Sequence, residues 1–526
     1  TTEIYTLSLH DALPILVTEP STAVAIARTV ADRMRTVLAN PVMASAALRR
    51  STDPYGLQLK AERPEKILVI NCGSSSLKYS FYDTANESVH ARGLVERIGI
   101  EGTRLVHQDA RGEHRGDLTK CGFPGAFDAM VSALTAKDHG VLRAISDVTL
   151  VAHRVVHGGE TFTEGTLITE DVMGQIEALS PLAPLHNPLN LDGIRAMRRL
   201  LPNVPHVAVF DTAFHHTLPP YAYLYGLPYE FYEDQRVRRY GFHGTSHHYV
   251  SLRVAQFLKR RPNTLRLVSC HLGNGASLCA IDHGRSVDTS MGFTPAEGLI
   301  MGTRCGDVDA GVLAFLERTE QLSATQSEEL LNKRSGLLGL SGISSDLREI
   351  LKAADSGNPR ALVTLKTFAY RVRKYLGAYV AAMGGLDVVA FTGGIGQGSA
   401  EVRALALQGL ECMGIVLDVE PNRAARGLQE VSRISADDSR VTVLVVPADE
   451  ERMMAREALA TVNRATVGTA LAQQGQAPFL VEVSAHHIHL TQEHVEALFG
   501  SGHQLTKQSD LSQPGQYACK EQLAIV

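Results

Sequence analysis

Short apolar segments alternate with amphipathic helical segments from residue 66 to about 462, and this alternation predicts an α/β fold. The clearest unit begins with the apolar run 67–70 and ends with an alternating strand over residues 77–81. The turn between them, 71–76, reads Asn-Cys-Gly-Ser-Ser-Ser, and Lys78 follows it. Backbone amides and short donors in such a turn suit a phosphate. The spacing of a Walker A loop is absent and a strand follows the turn, so a different kind of phosphate site is predicted.

The same pattern returns in the middle of the chain. Residues 267–282 read LVSCHLGNGASLCAID, which is an apolar strand, a Gly-rich polar turn and a second alternating strand. Two copies of this hairpin predict a duplicated, two-lobed fold with a phosphate-handling turn in each lobe. A third Gly-rich turn, 392–396, follows the predicted strand 387–391 and precedes a helical pattern from Ser399. That arrangement offers backbone amides and a helix N-terminus to a nucleotide.

The two ends of the chain differ from this central region. Residues 1–15 have no clear period and resemble translated sequencing-adapter sequence, so we leave them out of the fold; a disordered leader is the alternative. Residues 21–40 predict an amphipathic helix, although the arginines around it also resemble a transit peptide. A Gly/Ala/Gln linker over 467–478 separates a small C-terminal piece whose ends, 479–483 and 523–526, look like strands.

Composition and charge narrow the class of partner. The chain has 44% apolar residues, 20% charged residues and a formal charge of −5. A net negative charge of this size does not attract nucleic acid or an anionic membrane. No apolar run approaches the roughly 20 residues of a membrane-spanning helix. The 7 cysteines form no C-x-x-C motif, which argues against a disulfide framework or a cysteine zinc site. A reducing, cytoplasmic setting is therefore expected.

Polar residues cluster where predicted strands end, a common position for α/β active sites. Arg154 follows the predicted strand 149–152, where a guanidinium can clamp a phosphate or a carboxylate; a surface arginine in a turn is the alternative. His186 stands between two prolines, which either aim it at a ligand or leave it as a structural loop residue. Asp211 ends the predicted strand 207–210, either as an active-site acid or as a helix N-cap.

Three further clusters lie downstream. Residues 240–248 place three histidines among glycines, which suits catalysis better than a metal site, because no cysteine or acid stands at ligand spacing. Arg304, also between glycines, is a second guanidinium that suits a transferring phosphoryl group. The acids 449–451 follow the predicted strand 441–446, where they either hold Mg2+ or stabilise a helix N-terminus. Phosphoryl transfer needs this combination of charge neutralisation, positioning and a metal.

Taken together, these motifs resemble the acetate kinase family, which includes propionate and butyrate kinases, over residues 66–462. The resemblance implies the two-lobed, duplicated ATPase fold of actin, hexokinase and Hsp70, with the nucleotide in the cleft. It also implies reversible in-line transfer of the ATP γ-phosphoryl group to acetate, with Mg2+ or Mn2+, in a homodimer; propionate is the alternative substrate. The expected division is a leader over 1–65 with a polar linker from 51, a first lobe over 66–211 to which 449–462 returns, a second, nucleotide-binding lobe over 212–448, a linker over 463–478 and a separate piece over 479–526.

The resemblance also implies a role for each matched residue. Arg154 and Arg304 would flank the transferred phosphoryl group and the carboxylate, and His243 would stabilise the transition state. Asn274 would contact the γ-phosphate, and Glu450 would be linked to the metal, although Glu451 is adjacent. The catalytic set is Arg154, His186, Asp211, His243 and Arg304. The ATP-binding set is Ser74, Ser76, Lys78, His271, Leu272, Gly273, Asn274, Gly275, Asp346, Leu347, Arg348, Gly394, Ile395, Gly396, Gln397 and Gly398. The metal set is Asn71 and Glu450, and the acyl pocket is Arg154, Val156, Leu185, Phe242 and Pro295.

The sequence departs from the family pattern at a few positions. Gln397 and Gly398 stand where the family usually has Glu and Asn, which removes a charge from the nucleotide loop, and Ala448 replaces a usual Thr. None of these touches the transferred group. The apolar acyl pocket favours acetate or propionate, and since one methylene is worth only about 1–3 kcal/mol, the chain-length preference should be soft.

The C-terminal piece resembles a second family. Residues 481–500 and 511–521 are similar to the start of the zinc-dependent phosphate propanoyltransferase of bacterial microcompartments, a barrel enzyme. Its H-x-H-L motif falls on His487 and His489, which would be zinc ligands, whereas His486 stands where that family usually has Arg. The other metal ligands are missing, so we expect a partial β-barrel-like fragment without a complete transferase site. A bifunctional kinase–acyltransferase would need a longer chain, and a non-catalytic nucleotide sensor is disfavoured by the retained arginines.

Overall fold

A computed structural model describes residues 64–473 continuously, and beyond them only short segments. These segments are Tyr5–Ser8, which is strand β1, and residues 55, 57–59, 487–490, 495–496, 500, 502–504, 507–510 and 517–519. The chain forms two compact units, residues 53–462 and residues 1–52 with 463–526. The predicted helix 21–40 and the predicted strands 479–483 and 523–526 lie outside the described residues. Within the described part, no helix has the length and apolarity to span a bilayer.

The larger unit contains a first sheet of eight strands in the order β6-β5-β4-β3-β2-β7-β9-β8. Its strands are β2 Lys66–Cys72, β3 Ser76–Asp83, β4 Ser88–Glu96, β5 Arg104–Asp109, β6 Gly112–Asp117, β7 Leu150–Val155, β8 Thr166–Leu167 and β9 His206–Phe210. Strands β2, β7 and β9 run parallel, and the flanking strands pair antiparallel. The parallel core brings the carboxyl ends of three strands to one edge, where the site described below lies.

The second sheet repeats this topology. Its strands are β10 Arg266–Leu272, β11 Ala276–Asp282, β12 Arg285–Thr289, β13 Val388–Thr392, β14 Ser432–Arg433 and β15 Thr442–Val445. Their order, β12-β11-β10-β13-β15-β14, matches β4-β3-β2-β7-β9-β8 strand for strand and in direction. The duplication predicted from the two hairpins is confirmed, because β2–β3 and β10–β11 occupy equivalent places.

Helices cover both sheets. They are α1 Phe123–Leu134, α2 Glu170–Ala178, α3 Asn187–Leu200, α4 Pro220–Tyr223, α5 Glu230–Gln235, α6 Gly244–Leu258, α7 Ala310–Thr319, α8 Ala324–Lys333, α9 Gly336–Ser341, α10 Leu347–Asp355, α11 Pro359–Ala382, α12 Gly393–Gly398, α13 Ala400–Leu407, α14 Val419–Ala424 and α15 Glu450–Gln473. Helix α15 packs Met454 and Ala455 against Ile67 and Val69 of the first sheet. Helix α11 contributes to the core of the second sheet.

Three boundaries differ from the sequence prediction. Arg154 lies inside β7 rather than after it, because the buried run of the strand continues to Val155. The third Gly-rich turn is itself the short helix α12. Helix α15 continues to Gln473, into the predicted linker, since Ala, Leu and Gln in this stretch favour a helix despite its glycine.

The smaller unit contains a four-stranded sheet. Its strands are β1, β16 His487–Leu490, β17 Lys507–Asp510 and β18 Tyr517–Cys519, in the order β16-β1-β18-β17. Strand β1 pairs antiparallel with β16, so four residues of the segment set aside as adapter-like belong to a sheet. His487 and His489 lie on β16, but their side chains are outside the described part, and zinc binding there remains a prediction.

Candidate active site

Three side chains meet at the carboxyl ends of the parallel strands of the first sheet. Arg154 of β7 donates from Nε to Oδ1 of Asp211 at 2.9 Å and from Nη2 to Oδ2 at 2.5 Å. Its Nη1 donates to Oδ1 of Asn71, at the end of β2, at 3.2 Å. Burial alone would lower the pKa of Arg154, but the Asp211 carboxylate raises it above its ordinary value. Asp211 therefore anchors the guanidinium and is not a helix N-cap.

A second guanidinium faces the first. Burial and the positive charge of Arg154 both lower the pKa of Arg304, so the two cations lie close enough to repel each other. Burial, Arg304 and Arg154 likewise lower the pKa of His186, in that order, which keeps its imidazole neutral. A Cβ built on Gly275 would lie 3.3 Å from Nε2 of His243 and 3.9 Å from Nη1 of Arg304. The two cations and two imidazoles thus lie close to one another, and an anion bound among them would offset the repulsion between the cations.

His243 is held by both its backbone and its ring. Its φ of 57° is left-handed, which is costly for a non-glycine residue and typical of functional sites. The N–H of Gly244 donates to the backbone oxygen of Asp211 at 2.9 Å. The His243 Nδ1 lies 2.9 Å from Oγ of Ser277, which leaves Nε2 facing the hairpin turn at Gly275. Burial, followed by the neighbouring His271 and His247, lowers the pKa of His243 well below its ordinary value.

The other two histidines of this cluster are held by other groups. His247 lies 2.9 Å from Oγ of Ser277 through Nε2, sharing that hydroxyl with His243, and 2.9 Å from Oγ of Ser269 through Nδ1. His248 stacks on Phe214 with ring centroids 4.9 Å apart. The rings of His247 and His248 are therefore engaged in hydrogen bonding and packing.

Two buried asparagines, which the sequence patterns did not reveal, tie α3 to the site. The side-chain amide of Asn187 exchanges hydrogen bonds with the backbone N–H and C=O of His157, at 3.1 and 3.0 Å. Asn190 accepts from the N–H of Val156 at 3.1 Å and donates to the C=O of Cys72 at 3.0 Å. Because His186 directly precedes α3, these amides set its position relative to β2 and β7. The only sequence signal is a pair of asparagines in the first turn of the helix.

The acyl pocket is only partly assembled as predicted. Val156 and Phe242 are 5% and 3% exposed and belong to one apolar cluster. Pro295 is half-buried, whereas Leu185 is 54% exposed, because it precedes α3 in a short surface turn. A wall formed by Leu185 is therefore not supported, while Val156 and Phe242 supply apolar surface beside Arg154.

A cavity of about 1030 Å³ lies beside the second sheet and gathers eight of the predicted ATP-binding residues. These are Gly273, Asn274, Asp346, Leu347, Arg348, Gly394, Ile395 and Gly398. Eight others that were not predicted also line it, and they are Ser345, Leu351, Lys352, Asp355, Ser356, Ser399, Glu401 and Arg426. The volume and the mixture of apolar and charged side chains suit a nucleotide. Asp346 caps α10 by accepting from the N–H of Arg348 at 2.9 Å, and it also holds the Arg348 side chain.

The remaining predicted ATP ligands lie elsewhere. Leu272 is fully buried in the core of the second sheet, so a direct role in binding is wrong. His271 stacks on His243 with centroids 4.2 Å apart and contacts Oγ of Ser246 through Nδ1. Ser74, Ser76 and Lys78 lie on the β2–β3 hairpin, and Gly396 and Gln397 lie within α12; none of these five lines the cavity.

A buried arginine supports the glycine-rich wall of the cavity. Arg403 has no exposed surface, and its guanidinium donates to the carbonyl oxygens of Gly396 at 2.7 Å and Gln397 at 2.9 Å. It also donates to carbonyl oxygens of Asn422 at 2.7 Å and Ala425 at 3.1 Å. Arg403 thus links α12 to the segment that carries Arg426. Its neighbours in sequence give no sign of this role.

Glu450, one of the two residues expected to hold a metal, has a shifted carboxyl pKa. Glu450 begins α15, and burial raises its pKa to about 7; Arg154 and Lys78 oppose this shift, while Asp211 and Glu451 add to it. The carboxyl of Glu450 thus interacts electrostatically with both Arg154 and Asp211. Among the described residues, no three His, Cys, Asp or Glu side chains form a metal cage.

The duplicated sheets, the large cavity and the paired guanidiniums define a phosphotransferase of the nucleotide-dependent class. Comparison with known families then specifies which one: residues 66–456 match the acetokinase family, and the chain belongs to it. Residues 480–526 match the phosphate propanoyltransferase family. The chain is 52% identical over 401 residues to the acetate kinase of Dictyoglomus turgidum. The aligned region covers 76% of this chain and 98% of that protein.

Solved structures agree with this assignment. The crystal structure of Porphyromonas gingivalis acetate kinase matches 76% of this chain and 100% of its own, with a TM-score of 0.72 and 45% identity. A propionate kinase from Francisella tularensis matches 75% of this chain and 98% of its own, with a TM-score of 0.70 and 36% identity. The predicted two-lobed α/β fold is therefore confirmed.

Proposed function

We propose that this enzyme transfers the γ-phosphoryl group of ATP directly to acetate, giving acetyl phosphate and ADP, and that it also runs in reverse. The observation that carries the proposal is the proximity of Arg154, Arg304, His186 and His243, whose charges affect one another and would stabilise an anion in the space between them. The cavity beside the second sheet supports a nucleotide whose phosphates point toward this space. The family membership supports the same chemistry.

In the proposed reaction, an acetate oxygen attacks the γ-phosphorus, and the bond from that phosphorus to the bridging oxygen of ADP breaks with its electron pair going to ADP. The two guanidiniums neutralise charge on the transferring group and hold the carboxylate in line with it. His243 donates from Nε2 to a phosphoryl oxygen. Asn71 and Glu450 would hold Mg2+, or Mn2+ in its place, and the bound ion would screen the β- and γ-phosphates.

A hydroxamate assay with ATP, Mg2+ and acetate tests this proposal. Arg304→Ala should lower kcat by about 10²–10³, the range for loss of one transition-state donor. Arg285→Ala, exposed at the start of β12, is the matched control and should leave kcat unchanged. Activity of Arg304→Ala near that of the unvaried enzyme would rule out the assigned role, and ATP binding without turnover in the unvaried enzyme would indicate a sensor.

We propose acetate as the preferred acid, with propionate accepted less well. Support comes from the bulk of Phe242 and Val156 and from the acetate kinases that the chain resembles at about half identity. The similar propionate kinase keeps propionate as the alternative. A steady-state comparison of acetate, propionate and butyrate decides between them by kcat/KM.

We also propose that the enzyme works as a homodimer in the cytoplasm. Helix α7 and the residue before its cap expose Val308, Val312 and Phe315 at helical spacing, each 46–54% exposed, and such a stripe is typical of an interface. Six of the 7 cysteines, those before the C-terminal piece, are free thiols, which suits a reducing compartment. Light scattering coupled to gel filtration tests the dimer, and Phe315→Glu should shift it to a monomer.

A second candidate function rests on the match of residues 480–526 to the phosphate propanoyltransferase family. It would make acetyl-CoA from acetyl phosphate and coenzyme A. Formation of acetyl-CoA by the purified chain, and its loss in His487→Ala/His489→Ala, would establish this activity. Absence of acetyl-CoA would leave the kinase as the function of this chain.

A further inference from the structure

A row of hydrogen-bonding side chains connects His243 to the interior beside the second sheet. Nδ1 of His243 lies 2.9 Å from Oγ of Ser277, and the same oxygen lies 2.9 Å from Nε2 of His247. Nδ1 of His247 lies 2.9 Å from Oγ of Ser269, where the row ends. Ser269, Ser277 and His247 have no exposed surface, so bulk water does not compete for these contacts. We call these four residues the His–Ser network.

One helical turn and one sheet face bring the His–Ser network together. His243 directly precedes α6, and the backbone N–H of His247 donates to the backbone oxygen of His243 at 2.9 Å. Residues four apart on a helix lie on the same side of it. Opposite them, Ser277 of β11 pairs with His271 of β10, and Ser269 lies two residues before His271. Both serines therefore project from the same face of the sheet.

Both imidazoles of the network are neutral at pH 7. Burial lowers the pKa of His243 and of His247 well below the ordinary value, and neighbouring histidines lower it further. A neutral imidazole has one N–H donor and one acceptor nitrogen, whereas a serine hydroxyl has a single proton to donate and can also accept. The Ser277 hydroxyl therefore donates to one of the two histidines and accepts from the other.

Only two proton arrangements turn all three contacts of the network into hydrogen bonds. In the first, Ser269 donates to Nδ1 of His247, and Nε2–H of His247 donates to Ser277. The Ser277 hydroxyl then donates to Nδ1 of His243, whose own proton is on Nε2. In the second, every donor and acceptor is exchanged, and Nε2 of His243 has no proton. The tautomers of the two histidines are therefore coupled through the shared hydroxyl.

The other ring nitrogen of His243 faces the candidate active site. A Cβ built on Gly275 would lie 3.3 Å from Nε2 of His243 and 3.9 Å from Nη1 of Arg304. An oxygen of a phosphoryl group in this space is negatively charged and only accepts hydrogen bonds. It is stabilised by an N–H at Nε2 and repelled by a lone pair there. A bound phosphoryl group therefore favours the first arrangement, in which Ser277 donates to Nδ1 of His243.

We propose that Ser277 and His247, with Ser269 behind them, are positioning residues that keep the proton of His243 on Nε2 while a phosphoryl group is bound. The inference deepens the proposed function and rests on it, because the phosphoryl group is the partner expected for Nε2. His271 has a separate contact, since its Nδ1 lies 2.7 Å from Oγ of Ser246. Neither Ser277 nor His247 needs to touch a substrate for this role.

Nitrogen-15 NMR of protein labelled on its histidines tests the inference without turnover, because protonated and unprotonated ring nitrogens resonate far apart. The signals of His243 and His247 are assigned by their loss in His243→Gln and His247→Gln. With ATP and Mg2+ bound, and no acetate present, both rings should carry their proton on Nε2. In the free protein the two rings should share one tautomer. A proton on Nδ1 of His243 in the complex, or opposite tautomers in the two rings, would overturn the proposal.

Ser277→Ala supplies a second readout. Its kcat should fall at least about tenfold, but by no more than about 10²–10³, the loss expected for removal of the His243 donor itself. The KM for ATP should change less, because the donor acts on the transferring group. Adding His247→Leu should lower kcat no further, since the network is already broken. Ser251→Ala removes another buried hydroxyl of α6, which donates to the backbone oxygen of His248, and as the matched control it should leave kcat unchanged.

Thermal melts establish that each variant is folded under the assay conditions. A folded Ser277→Ala variant with unchanged kcat, or a further loss of kcat on adding His247→Leu, would contradict the proposed coupling. Failure of this inference is distinct from failure of the proposed function. If the unvaried enzyme forms no acetyl phosphate, the proposed function is wrong, whereas the tautomers of both rings are still measured in the free protein.

Discussion

Replacing Asp211 by asparagine should disable the enzyme through Arg154. The Asp211 side chain is 3% exposed and accepts two hydrogen bonds from Arg154, from Nε at 2.9 Å and Nη2 at 2.5 Å. Asparagine has nearly the same shape, but its amino group cannot accept a hydrogen bond from a guanidinium. One bond is therefore lost, and the guanidinium can turn away from Asn71 and from the phosphoryl group.

The charge interaction sets the size of the effect. Two unit charges about 4 Å apart interact by about 4 kcal/mol at an effective dielectric of about 20. The Arg154 side chain is 26% exposed, so a lower dielectric is not justified. Since about 1.36 kcal/mol corresponds to a factor of ten in rate, we expect kcat/KM to fall by up to about 10³. The 3–5 kcal/mol typical of breaking a buried ion pair agrees with this value.

A double-mutant cycle provides the assay. The hydroxamate assay measures kcat/KM for acetate in Asp211→Asn, Arg154→Ala and the double variant, and thermal melts confirm that each is folded. If Asp211 acts through Arg154, the double variant should be no slower than Arg154→Ala. If the losses in kcat/KM of the two single variants multiply in the double variant, this reasoning is refuted. Glu177→Gln is the control, because it breaks a surface ion pair with Arg195 in which the Glu177 side chain is 62% exposed. It should leave kcat/KM unchanged.

Three other predictions follow from buried groups. Arg403→Met should raise the KM for ATP at least tenfold with a smaller change in kcat, because α12 loses its anchor, whereas Arg423→Met on the exposed face of α14 should not. Burial lowers the pKa of His157 and of His215 to about 4, below the value of 6.5 in the unfolded chain. The free energy of unfolding should therefore be highest above pH 6.5 and should decrease as the pH falls below it. At pH 5 each of the two histidines should lower the free energy of unfolding, measured with urea, by about 2 kcal/mol, and His215→Asn should make it depend less on pH. Gly93→Ala should cost about 1–3 kcal/mol by the same measurement, because its Cβ would overlap a tyrosine ring.

The parts of the fold that the sequence predicts are those encoded over short distances. An apolar run, a polar turn and an alternating run lie within about 17 residues, so both hairpins and their duplication were predicted correctly, and sheet order then confirmed them. The polar motifs at strand ends likewise pointed to Arg154 and Asp211, and the glycines on either side pointed to Arg304. Their geometry was less predictable: the buried run of β7 continued past the predicted end, and Arg154 proved to be part of the strand.

The features that the sequence does not reveal are long-range hydrogen bonds. Asn190 belongs to the site because its amide joins the backbone of Val156 to that of Cys72, 34 and 118 residues away. Arg403 is buried because carbonyl oxygens at the ends of two short helices point at it. Neither residue type predicts burial by itself, since arginine and asparagine are mostly exposed. Only the tertiary structure supplies the partners that offset their desolvation.

Sheet register supplies a further case of the same kind. The strands of His107 and His114, β5 and β6, are joined by a two-residue turn, and β6 has the alternation of an ordinary surface strand. These two residues form one row with Gly93 and Tyr79 only through the pairing of two further strands. A slip of one residue in any pairing would turn one of these side chains to the opposite face and separate the Tyr79 hydroxyl from the His107 imidazole, which lie 2.7 Å apart. The orientation of the His107 ring is thus a property of register, which no local pattern of the sequence specifies.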